Sequence, residues 1–552
     1  MSESSFTRRA FVGTAAAAAA SAALPHRALA EASHRVAKTS DENVRSVTIP
    51  ADPDERSIAE LQQALASGAL TSRALVQQCL DRIAALDRHG PMLRAVIETN
   101  PDALSIADAL DAERRSGRGR GPLHGIPVLV KDNIDTADRM TTTAGSLALE
   151  GSRPSRDAHV AARLRAAGAV LLGKTNLSEW ANFRSTHASS GWSGRGGQAR
   201  NPYALDRTPS GSSSGSAIAV AAAYAPVAVG TETDGSVTSP SAACSLVGMK
   251  PTVGLVSRSG IIPISHSQDT AGPMARSVAD LAILLSAIAG ADPRDVATNA
   301  NKVAPNTDYT RYLDPAGLRG ARIGVARKRY TGYSTHADAA FEKAVQAMKE
   351  QGAVIVDPAD IATAGQFDDA EFDVLLYEFK ADLESYLRGL PAGARARTLD
   401  DLIAFNRAHA PQEMPYFGQE IFEMSAKKGN LSSPQYRKAL AKCRDLARTK
   451  GLDATFSKHR LDALVAPTQG PPGLIDLVNG DSGGGSSTTP CAVAGYPAIT
   501  VPMGYALGLP LGVTFMGLAW TEPKLVRYAY AYEQATKVRR PPRYLPTAAM
   551  ET

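Results

Sequence analysis

Short apolar runs alternate along the chain with segments of helical periodicity. Runs at 126–130, 169–172 and 226–229 are short and uniformly apolar, and they predict buried strands. Between them, apolar residues recur every three or four positions, as they do over 75–86, and predict amphipathic helices. The stretch from about 360 to 460 is mostly helical in pattern. Strands that alternate with helices predict an α/β fold whose sheet is covered on both faces.

Local signals refine this pattern at several points. Ser57 and Glu60 have the spacing of a capping box and predict the beginning of a helix. Residues 68–71 predict a turn, after which Ser72 begins the next helix. An Ala-rich run predicts a buried helix over 216–224.

The N-terminal residues predict an export signal. Arg8 and Arg9 are followed by a weakly apolar run over 12–24 and by an A-x-A cleavage site that ends at Ala30. Residues 1–30 resemble a twin-arginine signal peptide that is cleaved near Ala30, which predicts a periplasmic or secreted protein that is exported after folding. Residues 31–54 are predicted to be a polar lead-in and 55–545 a single domain. No later run is long and apolar enough to predict a membrane span.

Composition adds little that is specific. The 552 residues are 44% hydrophobic and carry a net charge of +5, of which about +3 remains after the signal is removed. This modest charge does not predict a nucleic-acid partner. The four cysteines, at positions 79, 244, 443 and 491, lack metal-ligand spacing and are interpreted as buried thiols. No metal and no cofactor are predicted.

Two short motifs match patterns whose mechanism they cannot perform. Residues 168–175 match the phosphate-loop pattern GxxxxGK[ST], which would indicate an NTPase. The central residues, however, form an apolar strand, which leaves no loop to hold a phosphate. Residues 211–215 match the nucleophile elbow GxSxG with Ser213 at its centre, but the segment before them, 201–209, is a loop and not the strand that an elbow requires.

Three separated residues carry a stronger chemical signal. Lys131 ends the apolar run 126–130, Ser212 lies in Pro-Ser-Gly-Ser-Ser-Ser-Gly-Ser, and Ser236 closes Gly-Thr-Glu-Thr-Asp-Gly-Ser. Taken singly, each is typical of a surface lysine or a turn serine. Together with the stretches 121–133, 173–176, 247–252, 494–498 and 508–512, they resemble the amidase signature family over most of residues 57–540.

The resemblance implies one domain built around a large mixed β-sheet that is flanked by α-helices on both faces. It implies that Ser236 is the acyl-forming nucleophile, that Ser212 is the bridging serine and that Lys131 is the base. It also implies that the backbone N–H groups of Thr233, Asp234, Gly235 and Ser236 form the oxyanion hole.

A lysine base must be neutral, so its pKa must fall from about 10.4 by about three units. Burial would lower the pKa of Lys131, whereas pairing with Asp132 or Asp135 would raise it. The sequence leaves open which effect prevails.

Two departures from the common family pattern narrow the resemblance. Asp234 and Gly235 stand where two glycines are usual, and Glu232 stands where aspartate is usual. This version resembles the bacterial peptide amidases, which implies release of ammonia from the C-terminal amide of peptides. The substrate is expected to be a small-molecule or short-peptide amide. The alternatives are a broad aryl or aliphatic amidase, an A-type subunit of a glutamyl-tRNA amidotransferase and, weakest, a phosphate-loop NTPase. The oligomeric state is left open, and residues 360–430 are interpreted as a segment that closes over the site.

Overall fold

An eleven-stranded mixed sheet runs through the computed structural model, which describes residues 55–304, 306–482 and 484–549. The predicted signal peptide, 1–30, and lead-in, 31–54, lie outside the described residues. The strands are β1 (Val96–Thr99), β2 (Pro127–Lys131), β3 (Val170–Thr175), β4 (Trp192–Ser193), β5 (Gly197–Gln198), β6 (Val227–Glu232), β7 (Val247–Lys250), β8 (Thr270–Ala275), β9 (Arg322–Val325), β10 (Val354–Val356), β11 (Ala463–Pro467), β12 (Ala498–Ala506) and β13 (Leu509–Met516). The order in the large sheet is β1-β3-β2-β6-β8-β7-β12-β13-β11-β9-β10, and β4 pairs with β5 separately.

Helices make up most of the remaining regular structure. They are α1 (Ile58–Ser67), α2 (Ser72–Leu86), α3 (Ala103–Arg115), α4 (His159–Ala166), α5 (Ser214–Ala221), α6 (Thr238–Ala243), α7 (Val278–Ile288), α8 (Thr335–Glu350), α9 (Asp368–Arg388), α10 (Leu399–Ala408), α11 (Ala410–Glu413), α12 (Glu420–Ala426), α13 (Pro434–Arg444), α14 (Asp453–His459), α15 (Thr489–Ala494) and α16 (Glu522–Thr536). Short 3₁₀ turns occur at Leu147–Leu149, Glu179–Asn182, Val296–Ala300 and Tyr309–Tyr312, and a π-helical turn at Asp445–Leu452.

The predicted α/β fold with a mixed sheet is confirmed. The capping box at Ser57 is present, the turn before α2 has the left-handed Gly68 at its start, and α2 begins at Ser72. The predicted helix over 216–224 begins two residues earlier, at Ser214, and ends at Ala221.

Strand β8 shows why some elements carry no clear sequence signal. It contains Gly272 and Pro273, which are uncommon in strand interiors, yet six of its residues pair with β6. Long-range pairing thus makes a strand of a segment whose local composition favours a loop.

The central strands are covered on both faces. Every residue of β2, β3, β6, β7 and β8 is buried. Because successive side chains of a strand point to opposite faces, burial at each position requires packing on both sides of the sheet.

The topology brings two strand ends together at one edge. Strands β2 and β6 are parallel neighbours, with Val130 opposite Val229. Their carboxyl ends therefore meet at the same edge, which is where α/β sheets place ligands and catalytic groups. Helix α5 contacts both strands, so the serine-rich loop before it reaches this edge as well.

The helical segment that follows β10 packs on aromatic residues of the preceding loops. The ring centroids of Trp180 and Phe422 are 5.7 Å apart, and those of Phe183 and Phe379 are 5.1 Å apart. Trp180 and Phe183 are thus core residues. All four cysteines are buried with free thiols. Within the described part of the chain, every helix is too short or too polar to cross a membrane.

Replacing Gly215 tests the close approach of α5 to the sheet. A Cβ at this position would lie 2.2 Å from the backbone oxygen of Ala95 and 2.5 Å from that of Asn176. We expect Gly215→Ala to lower the free energy of unfolding by about 3 kcal/mol or more, because backbone atoms cannot move aside easily. Gly119→Ala is the control, since a Cβ at Gly119 has no heavy atom within 4 Å. Equal stability of the two variants in denaturant unfolding would contradict this packing.

Candidate active site

Lys131 lies at the end of β2 with its amine enclosed by oxygen atoms. Its Nζ is 2.7 Å from Ser212 Oγ, 2.9 Å from Thr231 Oγ1 and 3.2 Å from the backbone oxygen of Thr231. Both Lys131 and Ser212 have no exposed surface. The structure therefore joins two of the three predicted catalytic side chains directly.

These contacts suit a neutral amine. A neutral lysine has two N–H donors and one lone pair, and the backbone oxygen of Thr231 can only accept. If both N–H groups point at Thr231, the lone pair faces the hydroxyl of Ser212 and can accept its proton. Burial lowers the pKa of Lys131 to about 7, and the charges of Asp269 and Glu232 oppose this fall only in part.

The two aspartates that follow Lys131 bond to other groups. Asp132 Oδ2 accepts from the hydroxyl of Thr143 and from the N–H of Gly145, and Asp135 Oδ1 accepts from the hydroxyl of Tyr386. Burial raises the pKa of Asp135 to about 7, which weakens its charge further. Among the described residues neither carboxylate hydrogen-bonds Lys131, so the pairing that the sequence left open does not occur.

A second buried lysine, Lys174, interacts electrostatically with these aspartates. Lys174 Nζ donates to the backbone oxygen of Ile134 at 2.6 Å and to Thr142 Oγ1 at 2.8 Å, and Asp132 and Asp135 are foremost among the carboxylates that favour its charged form. Lys174 belongs to the phosphate-loop match, whose residues from Val170 to Thr175 form the buried strand β3. The structure thus agrees that this motif has no phosphate cradle.

Ser213 has a structural position. Its Oγ donates to the backbone oxygen of Thr231 at 3.0 Å and accepts from the N–H of Thr231 at 3.1 Å. Gly230 permits this contact, because a Cβ there would lie 2.7 Å from Ser213 Oγ. The central serine of the elbow match therefore ties the serine loop to β6, and its neighbour Ser212, preceded by a cis peptide bond, faces Lys131.

Ser236 closes the turn that follows β6 and is 7% exposed. Its backbone oxygen accepts from the N–H of Ser213 at 3.1 Å, which docks the turn on the serine loop. In the described ranges no side-chain hydrogen bond joins Ser236 to Ser212, so the structure places the predicted nucleophile next to the loop through its backbone.

The turn itself is held at both ends. Glu232 Oε2 accepts from the N–H groups of Val237 and Thr238, at 2.7 and 2.9 Å. Gly235 has a φ of +79°, which favours glycine at this position. No protein acceptor among the described residues receives the backbone N–H of Gly235 or of Ser236. These two groups are available to a ligand, as the predicted oxyanion hole requires.

Asp234 stands where the family usually has a glycine, and its side chain forms hydrogen bonds that a glycine could not form. Its carboxylate accepts from Thr488 Oγ1 at 2.5 Å and from Thr489 Oγ1 at 2.8 Å. These hydroxyls lie at the beginning of α15. The turn is thereby joined to the C-terminal part of the chain.

The sequence reasoning missed the residues that surround Lys131. Thr231 accepts from Lys131 twice, and Asn133 Nδ2 donates to Thr231 Oγ1 at 3.0 Å. The only sequence signal for these residues was their position. Thr231 lies inside the glycine-bounded motif, and Asn133 follows Lys131 by two positions.

A cavity of about 320 Å³ adjoins these residues and is lined by Asn133, Thr231, Thr233 and Asp269 together with Asp382 and Ser385 of α9. Helix α9 belongs to the segment interpreted as a lid. Its residues line the cavity, and closure of that segment stays a prediction.

One group of side chains near the cavity has the composition of a cation site. Ligand atoms of His266, Glu378 and Asp382 lie within 4.8 Å of one another. His266 Nδ1 is 2.8 Å from Asp382 Oδ2, and its Nε2 is 3.3 Å from Glu378 Oε1. Burial alone would lower the pKa of His266, but the hydrogen bond to Asp382 and the charge of Glu378 raise it. With a carboxylate at each ring nitrogen, the group fits an imidazolium between two anions better than a metal ligand.

Comparison with known proteins identifies the family. The family model described as Amidase matches residues 74–526. A probable amidase of Arabidopsis thaliana is 42% identical over 500 residues, which are 89% of this chain and 92% of the relative. The A-type component of the glutamyl-tRNA(Gln) amidotransferase of Chloroflexus aurantiacus is 37% identical over 508 residues, 87% of this chain and 96% of that component.

The solved peptide amidase of Stenotrophomonas maltophilia is 55% identical, with a TM-score of 0.85 over 89% of this chain and 99% of that one. The chain belongs to the amidase signature family, as the resemblance implied.

Replacing Ser213 separates its structural position from catalysis. We expect Ser213→Ala to lower the free energy of unfolding by about 1–3 kcal/mol, because it removes two buried hydrogen bonds with Thr231. The variant should still be labelled covalently by a fluorophosphonate, as shown by intact mass, whereas Ser236→Ala should not. Labelling of Ser236→Ala together with loss of labelling in Ser213→Ala would restore the nucleophile elbow.

Proposed function

We propose that this member of the amidase signature family is a serine amidohydrolase that releases ammonia from the C-terminal amide of peptides through an acyl-enzyme. The observation that carries the proposal is the 2.7 Å contact between Ser212 Oγ and Lys131 Nζ, in a site where burial lowers the pKa of Lys131 to about 7. A base of that pKa is matched to neutral pH, where it is partly unprotonated.

In the first step, neutral Lys131 accepts the proton of the Ser212 hydroxyl, and Ser212 accepts the proton of Ser236. The oxygen of Ser236 attacks the amide carbonyl and forms a tetrahedral oxyanion. The backbone N–H groups of Gly235 and Ser236, with those of Thr233 and Asp234, donate to that oxyanion. These donors belong to a turn that Glu232 fixes by accepting hydrogen bonds from Val237 and Thr238, so they need little rearrangement during the reaction.

In the second step, the proton returns from Lys131 through Ser212 to the amide nitrogen, and the C–N bond breaks. Ammonia leaves and an ester of Ser236 remains. A water molecule then attacks the ester, and its proton passes through Ser212 to Lys131. When the bond between the Ser236 oxygen and the acyl carbon breaks, this proton returns through Ser212 to the oxygen of Ser236, and the peptide leaves with a free C-terminal carboxyl group. Lys131 ends the cycle neutral, so the residues of the chain suffice for each proton transfer.

The similarity to a solved peptide amidase supports a peptide substrate over a small amide. That protein is 55% identical over almost its whole length. The alternative within the hydrolases is a broad aryl or aliphatic amidase, which would use the same Lys131, Ser212 and Ser236. We also propose that residues 1–30 direct the protein to the periplasm or beyond, where amidated peptides would be met outside the cytoplasm.

The direct test incubates the purified full-length protein with an amidated peptide and follows ammonia release and the mass of the product. We expect one ammonia per peptide, conversion of the terminal amide to the acid and intact internal peptide bonds. The N-methyl amide of the same peptide distinguishes a primary-amide hydrolase from one that accepts larger leaving amines.

Matched variants and substrates decide between the alternatives. Ser236→Ala should release no ammonia, while Ser213→Ala should retain most of the activity. If the protein hydrolyses simple aryl or aliphatic amides but not peptide amides, the proposal of a peptide amidase is wrong and a broad amidase takes its place. No ammonia from any of these substrates without a partner protein would contradict the proposal and favour the amidotransferase component.

A further inference from the structure

The first residue of the proposed oxyanion turn is held from two sides by a neighbouring loop. Thr233 Oγ1 donates to Asp269 Oδ1 at 2.5 Å, and the backbone oxygen of Thr233 accepts from Gln268 Nε2 at 3.4 Å. Both partners lie directly before β8, which pairs with the strand that ends at Glu232. Two hydrogen bonds thus fix Thr233, and with it the start of the turn, to this loop.

Asp269 is itself rigidly placed. Its other oxygen, Oδ2, accepts from the N–H groups of Ile264 and Ser265, at 2.8 and 2.9 Å. A carboxylate with three donors keeps one orientation, and it transmits the position of its loop to Thr233. The same loop is tied to α9, because Glu378 Oε2 accepts from the hydroxyls of Ser265 and Ser267, at 2.5 and 2.9 Å, and Gln268 Nε2 donates to Glu371 at 3.0 Å.

Asp269 also acts on the lysine through its charge. It lines the cavity that reaches Thr231 and Asn133, the residues next to Lys131. The charge of Asp269 favours the charged form of Lys131 more strongly than that of Glu232 on β6 does. Arg258, from the loop between β7 and β8, also acts on Asp269 through its charge and favours the ionised carboxylate. Arg258 is paired with Asp295, at 2.5 Å.

We infer that Asp269 is a positioning residue with two effects: its hydrogen bond to Thr233 sets the oxyanion turn, and its negative charge sets the pH at which Lys131 becomes neutral. The inference rests on the proposed function for the roles of Lys131 and of the turn. It assigns a chemical task to Asp269, which is not part of the predicted catalytic set.

The sign of the charge effect follows from electrostatics. An anion near Lys131 favours its protonated form and so raises its pKa. Removing that anion lowers the pKa of Lys131, and a larger fraction of the lysine is then neutral at acidic pH. Burial raises the pKa of Asp269 to about 6, so the carboxylate is mostly charged at the pH where Lys131 titrates.

The experiment measures the rate at which a fluorophosphonate phosphonylates Ser236, with loss of fluoride, as a function of pH, alongside ammonia release from an amidated peptide. We expect Asp269→Asn to shift the acidic limb of the labelling profile to lower pH, by roughly half a unit to one unit. Asp382→Asn is the matched control. It removes a carboxylate that lines the same cavity but is hydrogen-bonded to His266 and not to Thr233. An unshifted limb in Asp269→Asn, or an equal shift in Asp382→Asn, would overturn the inference.

A second pair of variants tests the hydrogen bond even if Asp269→Asn does not fold. We expect Thr233→Val to lower the maximal labelling rate about tenfold, as loss of one well-placed hydrogen bond does, and Thr233→Ser to restore most of it. Equal rates for the valine and serine variants would overturn the positioning role. The labelling measurement does not depend on the substrate, so the two proposals can fail separately. If the acidic limb shifts but no ammonia is released from the peptide, only the proposed function is contradicted. If ammonia is released but the limb does not shift, only this inference is contradicted.

Discussion

The burial of one lysine is the constraint on which the rest of this site depends. A lysine amine that is moved out of water loses the hydration of its charge, and a shift of about three pKa units corresponds to about 4 kcal/mol. Lys131 has no exposed surface, and its partners are hydroxyls and a backbone oxygen without formal charge. The protein thus lowers the pKa of Lys131 to about 7 by withholding both water and a directly bonded anion.

The fold meets this requirement by giving each nearby carboxylate another partner. Asp132 and Asp135 serve Lys174 and its surroundings, Glu232 accepts the N–H groups at the beginning of α6, and Asp269 accepts from Thr233. The parallel pairing of β2 with β6 then puts Lys131 and the turn that ends at Ser236 at one edge. Helix α5 brings Ser212 to the same edge because its small residues allow a close approach to the sheet.

Sequence reasoning reached the parts of the site that lie in compact motifs. Lys131, Ser212 and Ser236 each sit in a short glycine- or strand-bounded stretch, and the structure places the first two in contact. It could not decide about Asp132, because nearness in sequence suggested pairing whereas adjacent residues after a strand point in different directions. The bonds from Glu378 to Ser265 and from Asp269 to Thr233 join residues far apart in the chain, with separations of 113 and 36 positions. Such contacts have no local pattern and become visible only in the fold.

The most direct test of a lysine base is an NMR titration of Lys131. The protein would be labelled with lysine carrying ¹³C at the ε-carbon, and the signal of Lys131 would be assigned by its disappearance in Lys131→Met. Lys174 and Lys250, which are also buried, provide internal comparisons. We predict a titration of Lys131 with a midpoint of about 7. A midpoint near the ordinary value of about 10.4 would show a charged lysine at neutral pH and would contradict a lysine base.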